Sequence, residues 1–305
     1  MQLGIKVGLK SDWKSDLEAT RPQFCEFWFH SGKIHEYNPL FAYCKANNIA
    51  VGLHYWGTMP DGTLSNLAYP DPEILKNSRQ LIKNTIDAAA KHKSIYVNLH
   101  TAGSTLAKVN FETEEFLPFG SQIPNHKALI ILKESLQIIS EYAQKSGVCL
   151  TVESTPARAL GTPWTGKAGR EKPTFIGEFL VSDLEKILPI DNIYFANDLG
   201  HTAGNIISEN RNAVKDYLFS VVRRLAPITK LIHVSYVVKP YNGTDYHGCL
   251  YYDEVHSLSA VPNYNELKEL LKLFVTRNDV YALVEPEKDH PGNFVALQKL
   301  VAEVS

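Results

Sequence analysis

The sequence has few cysteines and no cysteine motif. Among 305 residues there are four, Cys25, Cys44, Cys149 and Cys249, and no pair has the CxxC spacing of zinc-binding or thioredoxin-like redox motifs. Cys25 and Cys149 lie within apolar runs typical of strands. We therefore expect buried thiols and a protein that works in a reducing compartment.

Long apolar segments and an excess of one charge are also missing. No apolar run approaches the roughly eighteen residues of a transmembrane helix, and the N-terminal residues lead directly into a strand pattern rather than a secretory signal. Lysine and arginine number 31 against 33 aspartate and glutamate, so the net charge is −2. We expect a cytoplasmic monomer without membrane contact, and a uniformly basic nucleic-acid-binding surface is excluded.

Several motifs of common enzymes are absent as well. The sequence has no P-loop, no glycine-rich dinucleotide fingerprint and no GxSxG nucleophile elbow. It also has no Pro-, Ser- or Gly-rich linker and no low-complexity tract. These absences argue against nucleotide-dependent and serine-hydrolase chemistry, and they predict a single domain over residues 1–305.

The sequence does contain a repeated alternation of short apolar runs and helical patterns. Runs rich in Val, Ile, Leu or aromatic residues predict eight strands, at 3–8, 24–29, 49–54, 94–100, 148–153, 193–198, 231–236 and 280–285. Helical patterns are found at 13–20, 37–47, 72–92, 125–146, 183–188, 213–225, 264–276 and 293–304. Asp71 is placed to cap the third helix, and Gly147 to end the fourth.

Strands that alternate with helices predict βαβ units and a parallel sheet with right-handed crossovers. Eight such units favour a single (β/α)8 TIM barrel over an open doubly wound sheet, which would carry a Gly-rich loop after its first strand. The connections 55–70 and 154–177 are longer than a barrel needs. Both follow strands, so both should lie on the catalytic face and contribute to substrate binding.

Ligand-type side chains stand at the ends of the predicted strands. Six strands end in or are followed by His54, His100, Glu153, Asp198 with His201, His233, and Glu285, and the loop after the seventh strand adds Asp245 and His247. In a barrel these ends form a ring at one mouth. Buried carboxylates and imidazoles without a matching supply of Lys or Arg are best satisfied by divalent metal ions, and nine ligands suit two or three ions.

Other residues near the same mouth are candidate substrate contacts. His30 and Lys33 follow the second strand, and Tyr55 and Trp56 follow His54 directly. The long loop after the fifth strand carries Arg158. We predict that these five residues contact the substrate.

These residues and motifs resemble the xylose-isomerase-like TIM barrels and, within them, the endonuclease IV enzymes of AP endonuclease family 2. The similarity extends from Cys25 to about Glu285. The motifs that carry it are Asn98-Leu-His100-Thr-Ala-Gly-Ser104, Val152-Glu153-Ser-Thr155, Asn197-Asp198-Leu-Gly-His201, and His233 followed by Asp245-Tyr-His247.

The resemblance implies three zinc ions and hydrolysis of a phosphodiester at abasic sites in damaged DNA. The implied ligand sets are His54, His100 and Glu153; Glu153, Asp198, His233 and Glu285; and His201, Asp245 and His247. Catalysis would involve Glu153, Glu285 and His201, and Tyr55 and Trp56 would wedge into the base stack, as aromatic side chains do in other DNA-binding proteins.

A sugar isomerase or epimerase of the same superfamily is the alternative function. It would need one divalent ion, Mn²⁺ or Mg²⁺, held by Glu153, Asp198, His233 and Glu285, while two carboxylates move a proton on a small-molecule sugar. His54 and His100 have no assigned role in that alternative.

Overall fold

A computed structural model describes residues 1–110, 115–158, 173, 178–286 and 288–305. Eight parallel strands form a closed barrel in the order β1-β10-β9-β8-β7-β4-β3-β2. The eight barrel strands are β1 Gln2–Val7, β2 Phe24–His30, β3 Ala50–Trp56, β4 Tyr96–Leu99, β7 Leu150–Glu153, β8 Ile193–Asp198, β9 Thr229–His233 and β10 Tyr281–Val284. Two further strands, β5 Leu106–Asn110 and β6 Glu115–Phe119, lie outside the barrel. The prediction of a (β/α)8 barrel is confirmed.

The helices follow the strands around the outside. They are α1 Trp13–Thr20, α2 Asn38–Ala46, α3 Pro72–His92, α4 Asn125–Lys145, α5 Val181–Leu184, α6 Leu199–Ala203, α7 Arg211–Leu225, α8 Asp253–His256, α9 Tyr264–Leu271 and α10 His290–Ala302. Short 3-10 segments cover Ser31–Tyr37 and Ala226–Ile228.

Most element boundaries agree with the sequence patterns. Asp71 caps α3, because its side chain accepts hydrogen bonds from the backbone N–H groups of Glu73 and Ile74. Three ends were predicted too late: β9 stops at His233, α5 stops at Leu184 and α9 stops at Leu271. No described helix has both the length and the apolar character to cross a membrane.

Side chains alternate between the inside and the outside of the barrel, as the pleat requires. Outward-facing residues such as Phe27, Leu53 and Val152 pack against the helices in the main hydrophobic core. Inward-facing residues close the bottom of the barrel: Phe24, Tyr96, Ala196, Leu231 and Leu283. Above this layer the interior is polar.

Two glycines make room for the large rings of that bottom layer. A Cβ on Gly4 would overlap the ring of Phe24, and a Cβ on Gly52 would overlap the ring of Tyr96. Phe24 and Tyr96 meet edge to face with centroids 6.5 Å apart. At the bottom of the barrel, aromatic rings from some strands therefore fill the space that glycines on the neighbouring strands leave open.

A hairpin was missed from the sequence. β5 and β6 form a two-stranded antiparallel sheet after β4, and β5 also bridges the loop after β3 through Thr63 and Lys108. Pro118 lies within β6, and a proline inside a short run argues against a strand. Here Pro118 is tolerated because β6 is paired on one side only among the described residues.

The cysteines only partly match the prediction. Cys25 is fully buried with its Sγ 3.5 Å from that of Cys44, and no cysteine is in a disulfide. Cys149 is half-buried rather than buried; it precedes β7 and packs against the residues that close the bottom of the barrel.

Candidate metal centre

The nine predicted ligand residues converge at the carboxyl ends of the strands. Their ligand atoms form the three predicted groups, and within each group all atoms lie within 4.8 Å of one another. The groups are His54, His100 and Glu153; Glu153, Asp198, His233 and Glu285; and His201, Asp245 and His247. Glu153 belongs to two groups. We call the second set the central group.

The central group takes one side chain from each of four neighbouring strand ends. His233 Nδ1 lies 3.1 Å from Glu153 Oε1, 3.1 Å from Glu285 Oε2 and 3.7 Å from Asp198 Oδ2. All four side chains are almost completely buried. Three carboxylates and one imidazole thus face one point inside the barrel mouth.

Asp198 serves both as a helix cap and as a member of this group. Its Oδ1 accepts hydrogen bonds from the backbone N–H of His201 at 2.8 Å and from Ser235 Oγ at 2.6 Å. Its Oδ2 is buried without a hydrogen-bond partner among the described residues. One oxygen therefore fixes the short helix α6, and the other faces the central group.

The outer histidines surround Glu153 and Asp245. His54 Nε2 lies 3.5 Å from Glu153 Oε2, and His100 Nε2 lies 3.3 Å from Glu153 Oε1. His201 Nε2 lies 3.1 Å from Asp245 Oδ2, and His247 Nε2 contacts the same oxygen. His201 lies in the short helix α6.

Two charged residues of the site were not predicted. Lys6 on β1 is 2 % exposed, with its Nζ 2.7 Å from Glu26 Oε1 and 3.1 Å from Glu285 Oε2. Glu26 on β2 is fully buried and also accepts a hydrogen bond from Tyr96 Oη at 3.0 Å. The expectation that the site lacks a lysine is therefore wrong. Lys6 and Glu26 lie in the middle of their strands. Only the alternation of inward and outward side chains along each strand indicates that they point into the barrel.

Neighbouring side chains hold the glutamates in place. The indole N–H of Trp28 donates to Glu285 Oε1 at 2.6 Å, while the opposite oxygen faces Lys6. Asn98 donates a short hydrogen bond to Glu153 Oε2, and Thr151 donates to Asn98 at 2.8 Å. These bonds fix the direction of both carboxylates before any substrate arrives.

The charges shift the pKa of each group. Burial alone would lower the pKa of His233, but the negative charges of Glu153 and Glu26 outweigh it and raise this pKa well above its usual value. Burial and the positive charge of Lys6 instead lower the pKa of His54. Burial would raise the pKa of Glu285, but Lys6 and His233 overcome that effect and lower it to about 2.

The donor set fits a divalent cation. Four buried polar atoms of the site have no hydrogen-bond partner among the described residues: His54 Nε2, His100 Nε2, Asp198 Oδ2 and His233 Nε2. His233 Nε2 lies 3.1 Å from Glu26 Oε1, but not in hydrogen-bond alignment. The five carboxylates and five imidazoles of the mouth are the ligand types that divalent cations bind, and a cation would take over the charge balance that protonated imidazoles provide without it.

The predicted substrate contacts lie in different places. Tyr55 is 3 % exposed and packs in the hydrophobic core, so its predicted contact with substrate is wrong. The strand alternation explains this, since His54 points inward and the next residue must point outward. Trp56 does point inward, and its ring lies 5.7 Å from that of His100.

The remaining contacts stay predictions. Arg158 bridges the loop that carries Asp245, because its backbone N–H donates to Gly243 at 2.9 Å. Lys33 is exposed, and His30 is half-buried at the end of β2. Most of the long loop 154–177 lies outside the described residues.

The chain was compared with known proteins. No protein-family model matches it, and no curated protein matches its sequence. Solved structures do match over the full length. A D-tagatose 3-epimerase-like protein has a TM-score of 0.67 at 17% identity and covers 100% of this chain and 98% of its own.

Two further structures show the same similarity. A D-psicose 3-epimerase with D-tagatose from Clostridium cellulolyticum H10 has a TM-score of 0.59 at 14% identity, over 100% of this chain and 96% of that one. A xylose isomerase domain protein from Planctomyces limnophilus has a TM-score of 0.58 at 12% identity, over 99% of this chain and 96% of that one. The chain has the xylose-isomerase-like fold. At these identities the comparison establishes the fold and not the reaction.

Proposed function

We propose that this protein is a divalent-metal-dependent sugar isomerase or epimerase, which moves a proton at a carbon atom next to a carbonyl group. The observation that carries the proposal is the central group: three buried carboxylates and one imidazole from four strand ends. The full-length similarity to sugar epimerases supports it. From the sequence alone, the resemblance favours endonuclease IV activity and the sugar isomerase or epimerase is the alternative. With the structure and the comparisons, the sugar isomerase or epimerase becomes the preferred function.

Glu153, Asp198, His233 and Glu285 would hold the ion. A set rich in carboxylate oxygens suits Mn²⁺ or Mg²⁺ better than it suits zinc. When bound, the ion would act as a Lewis acid that polarises a substrate oxygen. The negative charge of the group would be balanced at the same time.

Glu153 and Glu285 are the candidates for moving the proton. They stand on β7 and after β10, with β8 and β9 between them, so they approach the cavity from different sides. The pKa of each is lowered, since nearby histidines and, for Glu285, Lys6 outweigh the effect of burial. The lowered pKa keeps each group as a carboxylate, the form that can accept a proton, and also makes it a weaker base than an ordinary carboxylate.

The rim of the barrel mouth suits a small polar ligand with an apolar face. Trp28 is 45% exposed on β2, and Trp56 lies on the adjacent strand β3. Indole rings beside a polar cavity are typical of sites for sugars, which have one face of C–H groups. We infer a small-molecule sugar as the partner.

The test is exchange of substrate hydrogen with solvent. The protein is loaded with Mn²⁺ and incubated in D₂O with a panel of ketoses that includes D-tagatose and D-psicose, and NMR follows deuterium at the carbons beside the carbonyl. We expect deuterium incorporation together with a new epimer or aldose. If no sugar of the panel showed either deuterium incorporation or a new epimer or aldose, the proposal would be rejected.

An endonuclease IV-like activity is the second candidate. The groups around His100 and Asp245 assemble as that resemblance implied, and a one-metal enzyme does not need them. We expect His100→Ala and, separately, Asp245→Asn to leave metal in the central group. If zinc-loaded protein nicks an abasic duplex and each variant cuts that rate by about 100-fold or more, the nuclease interpretation is favoured.

A further inference from the structure

Lys6 occupies a position that a metal ion would otherwise suit. Glu26, His54, His233 and Glu285 form a fourth group whose ligand atoms lie within 4.8 Å of one another. The Lys6 ammonium contacts three of these four residues: Glu26 Oε1 at 2.7 Å, Glu285 Oε2 at 3.1 Å and, by a short contact, His54 Nδ1. A tethered positive charge already fills this group.

The contact to His54 determines how that imidazole can be used. An ammonium group has three N–H donors and no lone pair, so His54 Nδ1 must accept its hydrogen bond. In the neutral ring the proton then lies on Nε2, which points towards Glu153. An Nε2 that carries a proton is not a metal ligand. The Nε2 of His54, which has no hydrogen-bond partner in the described part of the chain, is therefore better explained as a donor for a substrate oxygen than as a position for an ion.

Two other histidines of the same mouth have the opposite arrangement. His201 Nδ1 faces the backbone oxygen of Ser154 at 2.8 Å, and His247 Nδ1 faces that of Glu285 at 2.7 Å. A carbonyl accepts a proton from Nδ1 and leaves Nε2 with its lone pair, which is the usual support for a metal-binding histidine. The nearest neighbour of His54 Nδ1 is the Lys6 ammonium, with Glu26 Oε1 farther away at 3.4 Å, whereas the other two rings are backed by acceptors.

We propose that Lys6 is a built-in cation that takes the place of a metal ion among Glu26, His54 and Glu285, and that it restricts His54 to donating a hydrogen bond from Nε2. Lys6 is thus a positioning residue that limits how many ions the mouth can hold. This inference rests on the proposed function, because it assumes that the central group holds the ion. It also gives His54 a role that a one-metal sugar enzyme lacked: Nε2, which has no hydrogen-bond partner among the described residues, would donate to a substrate oxygen.

The number of bound ions tests the inference. Wild type, Lys6→Ala and Lys6→Arg are equilibrated with Mn²⁺ and, separately, with Zn²⁺, and ions per chain are counted by plasma mass spectrometry after excess is removed. We expect Lys6→Ala to bind one ion more than wild type, because the charge is gone and the space is open. Lys6→Arg, which keeps the charge, should match wild type. Equal counts in wild type and a folded Lys6→Ala would overturn the proposal.

Two measurements on wild type decide the matter even if Lys6→Ala does not fold. Anomalous scattering from zinc-soaked crystals should show no ion within about 2.3 Å of either His54 ring nitrogen. In metal-free protein, ¹⁵N NMR of labelled histidines, with His54 assigned by its loss in His54→Gln, should show a proton on Nε2 and none on Nδ1. An ion on His54, or the reverse tautomer, would refute the role of Lys6. None of these measurements uses turnover, so the sugar assay succeeds or fails independently.

Discussion

At the scale of single residues, Glu153 has the most contacts within the site. It belongs to two of the ligand groups and is fully buried among imidazoles. We expect Glu153→Gln to release the ion from the central group and to lower sugar epimerisation by about 100-fold or more, because a neutral amide is a poor metal ligand and a poor base. Metal content and solvent exchange measure this. Glu209→Gln, at an exposed glutamate, is the control, and normal metal content in Glu153→Gln would contradict the assignment.

Cys149 offers a second test, remote from the mouth. Burial raises the pKa of its thiol to about 11, and the thiolate is the form that reacts with alkylating agents. Between pH 7 and pH 10 we expect the rate of its modification by iodoacetamide to rise roughly tenfold per pH unit, since the thiolate fraction does so below the pKa. Mass spectrometry locates the adduct, and urea-denatured protein is the control. Rapid labelling of native Cys149 at pH 7 would disagree with its burial.

The site residues differ in how readily the sequence discloses them. His54, His100 and Glu153 could be predicted, because each is a ligand-type residue at the end of an apolar run. Lys6 and Glu26 could not, since a lysine in a first strand is equally typical of an exposed face. Side chains alternate between the inside and the outside along a strand, so the direction of Lys6 or Glu26 can be inferred only once the direction of a neighbour such as Phe24 is known.

At the scale of elements, the floor of the barrel depends on paired large and small residues. We expect Gly52→Ala to lower the free energy of unfolding by about 1–3 kcal/mol, because the new methyl group would overlap the buried ring of Tyr96. Urea denaturation monitored by circular dichroism measures the change. Gly32→Ala is the matched control, since its Cβ would meet no atom within 4 Å. Equal midpoints for the two variants would show that the floor repacks freely.

The elements that were predicted and those that were missed have a common explanation. The long helices α3 and α4 have clear periodicity, and α3 has a capping aspartate, so their boundaries followed from local chemistry. The hairpin of β5 and β6 did not, because its strands are short and one contains Pro118. Such strands are stabilised by the contacts of β5 with the loop after β3, which is distant in sequence.

At the scale of the whole molecule, metal binding and folding should be coupled. The central group joins side chains from four strand ends, so only the closed barrel brings them together. An ion that binds the folded state alone stabilises it by about 2.7 kcal/mol at a free concentration 100 times its Kd. We expect the melting temperature to rise with Mn²⁺ and to fall with EDTA, as calorimetry would show. A melting temperature independent of both would contradict a resident ion, and Asp198→Asn should abolish the dependence.

The closure of the barrel also has a consequence for how the chain is made. β1 pairs with β2 on one side and with β10 on the other. On the ribosome β1 therefore keeps an unpaired edge until β10 has emerged. The ion pair between Lys6 and Glu285, which follows β10, can form only at the same late stage. A polypeptide released before Glu285 is added has neither the closing strand nor the fourth ligand of the central group, so translation must pass that codon before the metal site can exist.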